Sequence, residues 1–96
     1  MESKLFDLNG KTAVITGGNG GIGFGMAAGL AEAGANIVIA ARNATKTAES
    51  ISKLRETGTN CEGVQVEVTN EKSVNQMVSK CVEEFGSIDI LINNAG

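Results

Sequence analysis

The sequence predicts an α/β fold: a doubly wound parallel sheet with helices on its faces, of which this chain supplies a β-α-β-α-β-α-β run. Three observations predict it. Short β-branched runs alternate with longer stretches of helical period, the connections between them are tight, and the early strands are apolar on both faces as parallel strands are. The 96 residues make one domain at most, by the usual allowance of about 100–200 residues per domain. No internal repeat, linker or low-complexity segment interrupts the pattern.

The elements follow in order. Lys11–Thr16 reads as a buried strand, followed by glycines and a helix from about Ile22 to Ala33. Ile22, Met26 and Leu30 form that helix's apolar stripe, and Gly34 closes it. Asn36–Ala41 is a second strand. Asn43 or Thr45 caps the next helix, which places Ala48, Ile51 and Leu54 on one side and stops near Gly58. Val64, Val66 and Val68 alternate with Gln65 and Glu67, the mark of a third strand with one more exposed face. Thr69 or Asn70 caps a third helix with Val74, Met77, Val78, Cys81, Val82 and Phe85 along one stripe, ended by Gly86. Ile88–Ile92 is a fourth strand. Its apolar character predicts a neighbour on each edge and a helix on each face.

Composition narrows the function. Eight Lys and Arg against eleven Asp and Glu leave a net charge of −3, which argues against a nucleic-acid surface. The chain holds no His, Tyr, Trp or Pro, so groups that exchange protons near neutral pH are scarce. Cys61 and Cys81 form no CxxC and have no His beside them, so they read as reduced, buried thiols and no metal site is expected. Met1-Glu2-Ser3-Lys4 does not open a signal peptide, and no apolar stretch reaches the roughly 20 residues of a membrane span. The expectation is a soluble cytoplasmic protein without a membrane partner.

Glycine is abundant, with thirteen residues, and Thr16-Gly17-Gly18-Asn19-Gly20-Gly21-Ile22-Gly23 lies between the first strand and the first helix. A doubly wound sheet binds phosphate there. The loop turns sharply, its backbone approaches the ligand without a Cβ in the way, and the helix N-terminus offers N–H groups and a positive dipole end. Gly18, Gly20 and Gly23 satisfy G-x-G-x-x-G, whereas no Gly-Lys-Ser/Thr follows to make a Walker A loop. The end of the second strand discriminates between nucleotides. An acid there would bond a ribose 2′-OH and favour NAD; Ala40-Ala41-Arg42-Asn43 offers a guanidinium and no carboxylate. That pairing favours a 2′-phosphate, and so NADP.

With these residues in place the chain resembles the classical short-chain dehydrogenase/reductase family. Thr16-Gly17-x-x-x-Gly21-Ile22-Gly23 is similar to the family's cofactor loop, and Asn93-Asn94-Ala95-Gly96 to its N-N-A-G sequence after the fourth strand. The opening Leu5-Phe6-Asp7-Leu8-Asn9-Gly10-Lys11 resembles the lead-in of sugar and sugar-acid members such as gluconate dehydrogenases. The resemblance implies a Rossmann-type NAD(P)-binding domain over residues 1–96 and covers the whole chain. It also implies roles. Gly17, Asn19, Gly21, Ile22 and Gly23 would line the pyrophosphate and nearby ribose, and Arg42 would meet the adenosine 2′-phosphate. Glu67-Val68 stands where the family usually has Asp-Val against adenine. Asn93 and Asn94, with Ala95 and Gly96, would support the central sheet and border the cofactor. NADP-preferring members often carry a basic residue in the glycine loop, where this chain has Asn19 and Gly20, so NAD stays open.

The family's acid/base Tyr-x-x-x-Lys, with its Ser and further Asn, follows N-N-A-G. This chain contains no Tyr, and no catalytic residue is assigned within it; its serines read as helix, cap or terminal positions. The resemblance therefore implies the amino-terminal part of an oxidoreductase that moves a hydride between nicotinamide and a small-molecule carbonyl or secondary alcohol. Such an enzyme would be a homo-oligomer when complete, and this portion alone would be inactive. The alternatives are a dinucleotide-binding module without turnover and another α/β class such as a methyltransferase, which usually places an acid where Ala41 and Arg42 stand.

Overall fold

The computed structural model describes residues 7–17, 21–67 and 69–94. Seven elements alternate along them: β1 (Thr12–Thr16), α1 (Gly21–Glu32), β2 (Asn36–Ala41), α2 (Ala44–Glu56), β3 (Cys61–Gln65), α3 (Glu71–Phe85) and β4 (Ile90–Asn93). The strands form one parallel sheet in the order β3-β2-β1-β4. The chain thus builds outward from β1 through β2 to β3, then crosses back to lay β4 on the far side of β1. That reversal defines the crevice at the carboxyl ends of β1 and β4, where ligands of open α/β sheets bind.

Two apolar layers sandwich the sheet. On one face α1 and α2 cover Ala13, Ile15, Ile37, Ile39 and Cys61, with Ala27, Ile51 and Leu54 supplied from the helices. On the other face Met77 and Cys81 of α3 meet Val14, Val38, Ala40 and Val66. The central strands β1 and β2 are therefore buried along nearly their whole length, which explains why they read as uninterrupted apolar runs.

Of the two cap candidates the sequence offers at each helix start, the structure uses Asn43 for α2 and Asn70 for α3. Asn43 Oδ1 accepts the Lys46 N–H at 2.9 Å to start α2. Asn70 Oδ1 accepts the Ser73 N–H at 3.1 Å to start α3, and Gly86 ends that helix with φ of 88°. Both asparagines satisfy donors that the first turn leaves without intrahelical partners.

Five expectations change, the last of them at β4. Ile22 is not part of a buried stripe on α1 but 77% exposed, and the buried positions are Gly23 and Ala27. Gly-Ile-Gly-Phe-Gly-Met-Ala-Ala is apolar on every side, so periodicity could not choose a face; small residues let the helix approach the sheet closely. On α2, Ala48 is exposed and Thr47 and Ser50 take inner positions beside Ile51 and Leu54. Strand β3 starts earlier than Val64 and ends at Gln65, because Cys61 and Glu62 pair with Ile37 and Val38 despite their weak strand character. Pairing against a buried neighbour outweighs propensity there. On α3, Val78 and Val82 are 40% and 47% exposed, since only Met77 and Cys81 reach the sheet deeply.

β4 begins at Ile90 rather than Ile88. The Asp89 carboxylate accepts the Thr12 N–H at 2.9 Å, and the Asp89 N–H donates to Thr12 O at 2.9 Å. A side chain thus takes the place of a ladder bond at the strand's entry. Among the described residues β4 pairs on one edge only, with β1, and Leu91 is 62% exposed. No helix among the described residues is long and apolar enough to cross a membrane. Cys61 and Cys81 are free and buried, and burial pushes both thiols up from their ordinary pKa.

Candidate cofactor-binding site

The parallel register brings the carboxyl ends of β1, β2 and β3 to one rim. Thr16 lies opposite Ala40, and Ala41 opposite Gln65. With strands about 4.8 Å apart, the end of β1 and the end of β3 are separated by roughly 10 Å across that rim.

At the β1 end, Gly17 turns the chain with φ of 69°, and its N–H donates to Ala40 O at 2.8 Å. Gly21 opens α1 with φ of 55°, and a Cβ built on it would meet nothing within 4 Å. Both angles favour glycine. Gly23 is buried, while Ile22 projects outward. The first turn of α1 carries no acidic residue. Its N–H groups and the positive end of its dipole therefore face the rim without a carboxylate to oppose an anion. Gly18, Asn19 and Gly20 lie outside the described residues.

Thr16 ties this turn to the end of β4. Its hydroxyl donates to Asn93 Oδ1 at 3.0 Å and accepts the Asn94 N–H at 3.0 Å. Asn94 N–H also reaches Thr16 O at 3.2 Å, and Asn94 Nδ2 lies 3.5 Å from Gly17 O. Asn93 and Asn94 thus hold the two sides of the crevice together. The glycine motif gives Thr16 no role of its own; its position as the last residue of a buried strand is the signal that it has one. Ala95 and Gly96 lie outside the described residues.

At the β2 and β3 ends, Ala41 is buried and Arg42 exposed. Arg42 Nη1 lies 3.5 Å from Glu67 Oε2, an ion pair whose side chains are 76% and 44% exposed. Gln65 Nε2 donates to Arg42 O at 3.1 Å. Glu67 is fixed by its own N–H, which donates to Ser73 Oγ at 3.0 Å, and by Thr69 Oγ1, which donates to Glu67 Oε1 at 3.3 Å. Arg42, Gln65, Val66, Glu67 and Ser73 line an open cavity of about 440 Å³. Nothing in the sequence marks Gln65 or Ser73 for this site. Ser73 read as a cap-region serine, and its bond to Glu67 spans a turn that sequence spacing does not reveal. Val68 lies outside the described residues.

The donor set fits a dinucleotide: glycine backbone and a helix N-terminus stand at one end of the rim, and a guanidinium paired with Glu67 stands at the other. Among the described residues no group of three or more His, Cys, Asp or Glu could hold a metal ion.

A family model described as short chain dehydrogenase matches residues 11–96. The chain belongs to the short chain dehydrogenase family. It is 43% identical over 96 residues to a 2-dehydro-3-deoxy-D-gluconate 5-dehydrogenase of Dickeya dadantii, covering 100% of this chain and 37% of that relative. Among solved structures, it superposes with a TM-score of 0.87 and 43% identity on a 2-keto-3-deoxy-D-gluconate dehydrogenase from Streptococcus agalactiae, covering 95% of this chain and 34% of that one. A hydroxysteroid dehydrogenase from Escherichia coli gives a TM-score of 0.94 at 31% identity, over 100% of this chain and 40% of that one. The chain thus spans a third to two fifths of the length of these short chain dehydrogenases, and sugar-acid members of the family are among its relatives.

Proposed function

We propose that this chain is the cofactor-binding part of an NADP(H)-dependent short chain oxidoreductase acting on a small-molecule carbonyl or secondary alcohol. The observation that carries the cofactor preference is the end of β2, where Ala41 is buried and Arg42 projects, so β2 itself ends on a guanidinium and supplies no carboxylate to bond a ribose 2′-OH. Arg42 also precedes Asn43, the N-cap of α2, whose first turn holds no acidic residue. A 2′-phosphate would meet a guanidinium beside the positive end of a helix.

The bound nicotinamide supplies hydride transfer; the protein supplies position and electrostatics. Gly17, Gly21, Ile22 and Gly23 would line the pyrophosphate and its ribose, with Asn19 in the same loop. Thr16, Asn93 and Asn94 tie the end of β1 and Gly17 to the end of β4, where the nicotinamide half would lie, bordered also by Ala95 and Gly96. Val66 and Glu67, continued by Val68, would border the adenine. The 2-keto-sugar-acid relatives support a sugar acid as the substrate class, and the family likeness supports a homo-oligomer in the cytoplasm.

Titrating the protein that carries this chain with NADPH and NADH tests the proposal. NADPH is expected to bind at least about tenfold more tightly, the scale of one charge-assisted bond. Arg42→Asp should reverse that order. Equal affinities, or tighter binding of NADH by the unaltered protein, would rule out the NADP preference.

A further inference from the structure

Arg42 is not a free cation in this structure. Its guanidinium Nη1 stands 3.5 Å from Glu67 Oε2, across the mouth of the cavity that both residues line. The Glu67 backbone is pinned at that place, and its carboxylate has a second contact. Its backbone N–H is held by Ser73 Oγ at 3.0 Å, its carbonyl accepts the Asn70 N–H at 2.9 Å, and its other carboxylate oxygen accepts the Thr69 hydroxyl at 3.3 Å. Arg42 is held from the other side, since Gln65 Nε2 bonds its carbonyl oxygen. Two backbones from adjacent strands thus present opposite charges to one opening.

We infer that Glu67 is a specificity-determining residue that competes with a ligand's 2′-phosphate for Arg42. This rests on the NADP(H) reading and deepens it. A phosphate on the ribose of a bound adenosine must take the guanidinium from Glu67 and leave the carboxylate beside it. A ligand with a free 2′-OH need do neither. The pair therefore narrows the gap between the two classes of adenine nucleotide by holding Arg42 in check when no phosphate is present. An exposed pair of this kind is worth little, and a bidentate guanidinium–phosphate contact is worth more. Glu67 tunes the preference for a 2′-phosphate; Arg42 creates it.

Adenosine 2′,5′-bisphosphate and AMP differ by the 2′-phosphate alone, and the ratio of their dissociation constants reads its contribution. That ratio is to be measured by calorimetry on the whole protein that carries this chain, with Glu67→Gln, Glu67→Asp, Arg42→Ala and the Arg42→Ala/Glu67→Gln double variant. Glu67→Gln should raise the preference for the bisphosphate about threefold, the scale of an exposed ion pair. Glu67→Asp, one methylene short of Arg42, should raise it by a smaller factor while keeping the charge. In the Arg42→Ala background the Glu67→Gln gain should largely vanish. An equal gain with and without Arg42 would mean that Glu67 repels the phosphate directly, and would overturn the inference. So would a change in both affinities that leaves their ratio unaltered. If Arg42→Ala alone leaves the ratio untouched, the NADP(H) reading itself falls, a result separable from failure of the Glu67 substitutions.

Discussion

At the scale of single residues, Asp89 joins β4 to β1 one residue before their register begins at Ala13 and Ile90. The Thr12 N–H bonded to its carboxylate holds that group below the usual carboxylate range, helped by the Ser87 hydroxyl and the Lys11 charge against some loss of solvation. A carboxyl whose folded pKa is depressed binds protons more readily in the unfolded chain. Its contribution to stability is therefore complete above the unfolded value of about 3.9 and is lost as pH falls through the folded one. Asp89→Ala should lower the thermal midpoint at pH 7, and the gap from the unaltered protein should close progressively below about pH 4. A gap that stays constant from pH 7 into the acid range would contradict this account of Asp89. Arg42 and Glu67 belong to the same scale. Each was singled out in the sequence for a separate role, yet their contact joins residues 25 positions apart and only the pairing of β2 with β3 creates it.

At the scale of elements, the α2–β3 contact depends on a missing side chain. A Cβ on Gly63 would stand 2.6 Å from Thr47 Cγ2 and 3.3 Å from Ile51 Cγ1. Thr47 cannot yield easily, because its hydroxyl bonds Asn43 O at 2.8 Å and its branched side chain has few rotamers in a helix. Gly63→Ala should thus destabilise the fold by about 1–3 kcal/mol, the range for overpacking a filled interior. Chemical denaturation measures it, and an unchanged midpoint would contradict the packing described.

The elements also show why some of the structure was readable and some was not. β2 and the Asn43, Asn70 and Gly86 caps stand where the sequence places them, since each carries a local chemical reason for its position. The inner face of α1 was hidden because the helix is apolar all round. The true span of β3 was hidden because Cys61, Glu62 and Gly63 owe their extended form to Ile37, Val38 and Ile39 beside them. Two of the six residues of α3's apolar stripe, Val78 and Val82, are only partly covered by the described residues.

For the whole molecule, the order β3-β2-β1-β4 converts local signals into a site. The glycine turn, Arg42 and the Asn93-Asn94 pair come from three separate connections, and parallel pairing sets them on one rim. The alternation of strands and helices made that arrangement readable before any contact was known. The ties through Thr16, Gln65 and Ser73 were not readable, because each depends on side chains meeting across strands or turns.

The central claim is that this rim binds a 2′-phosphorylated dinucleotide, and a crystal structure of the whole protein with NADP⁺ tests it most directly. The account predicts the pyrophosphate against the first turn of α1, between Gly17 and Gly23, and the 2′-phosphate bonded to Arg42 with Glu67 displaced from it. A dinucleotide bound elsewhere, or a 2′-phosphate pointing into solvent while Arg42 stays with Glu67, would contradict it.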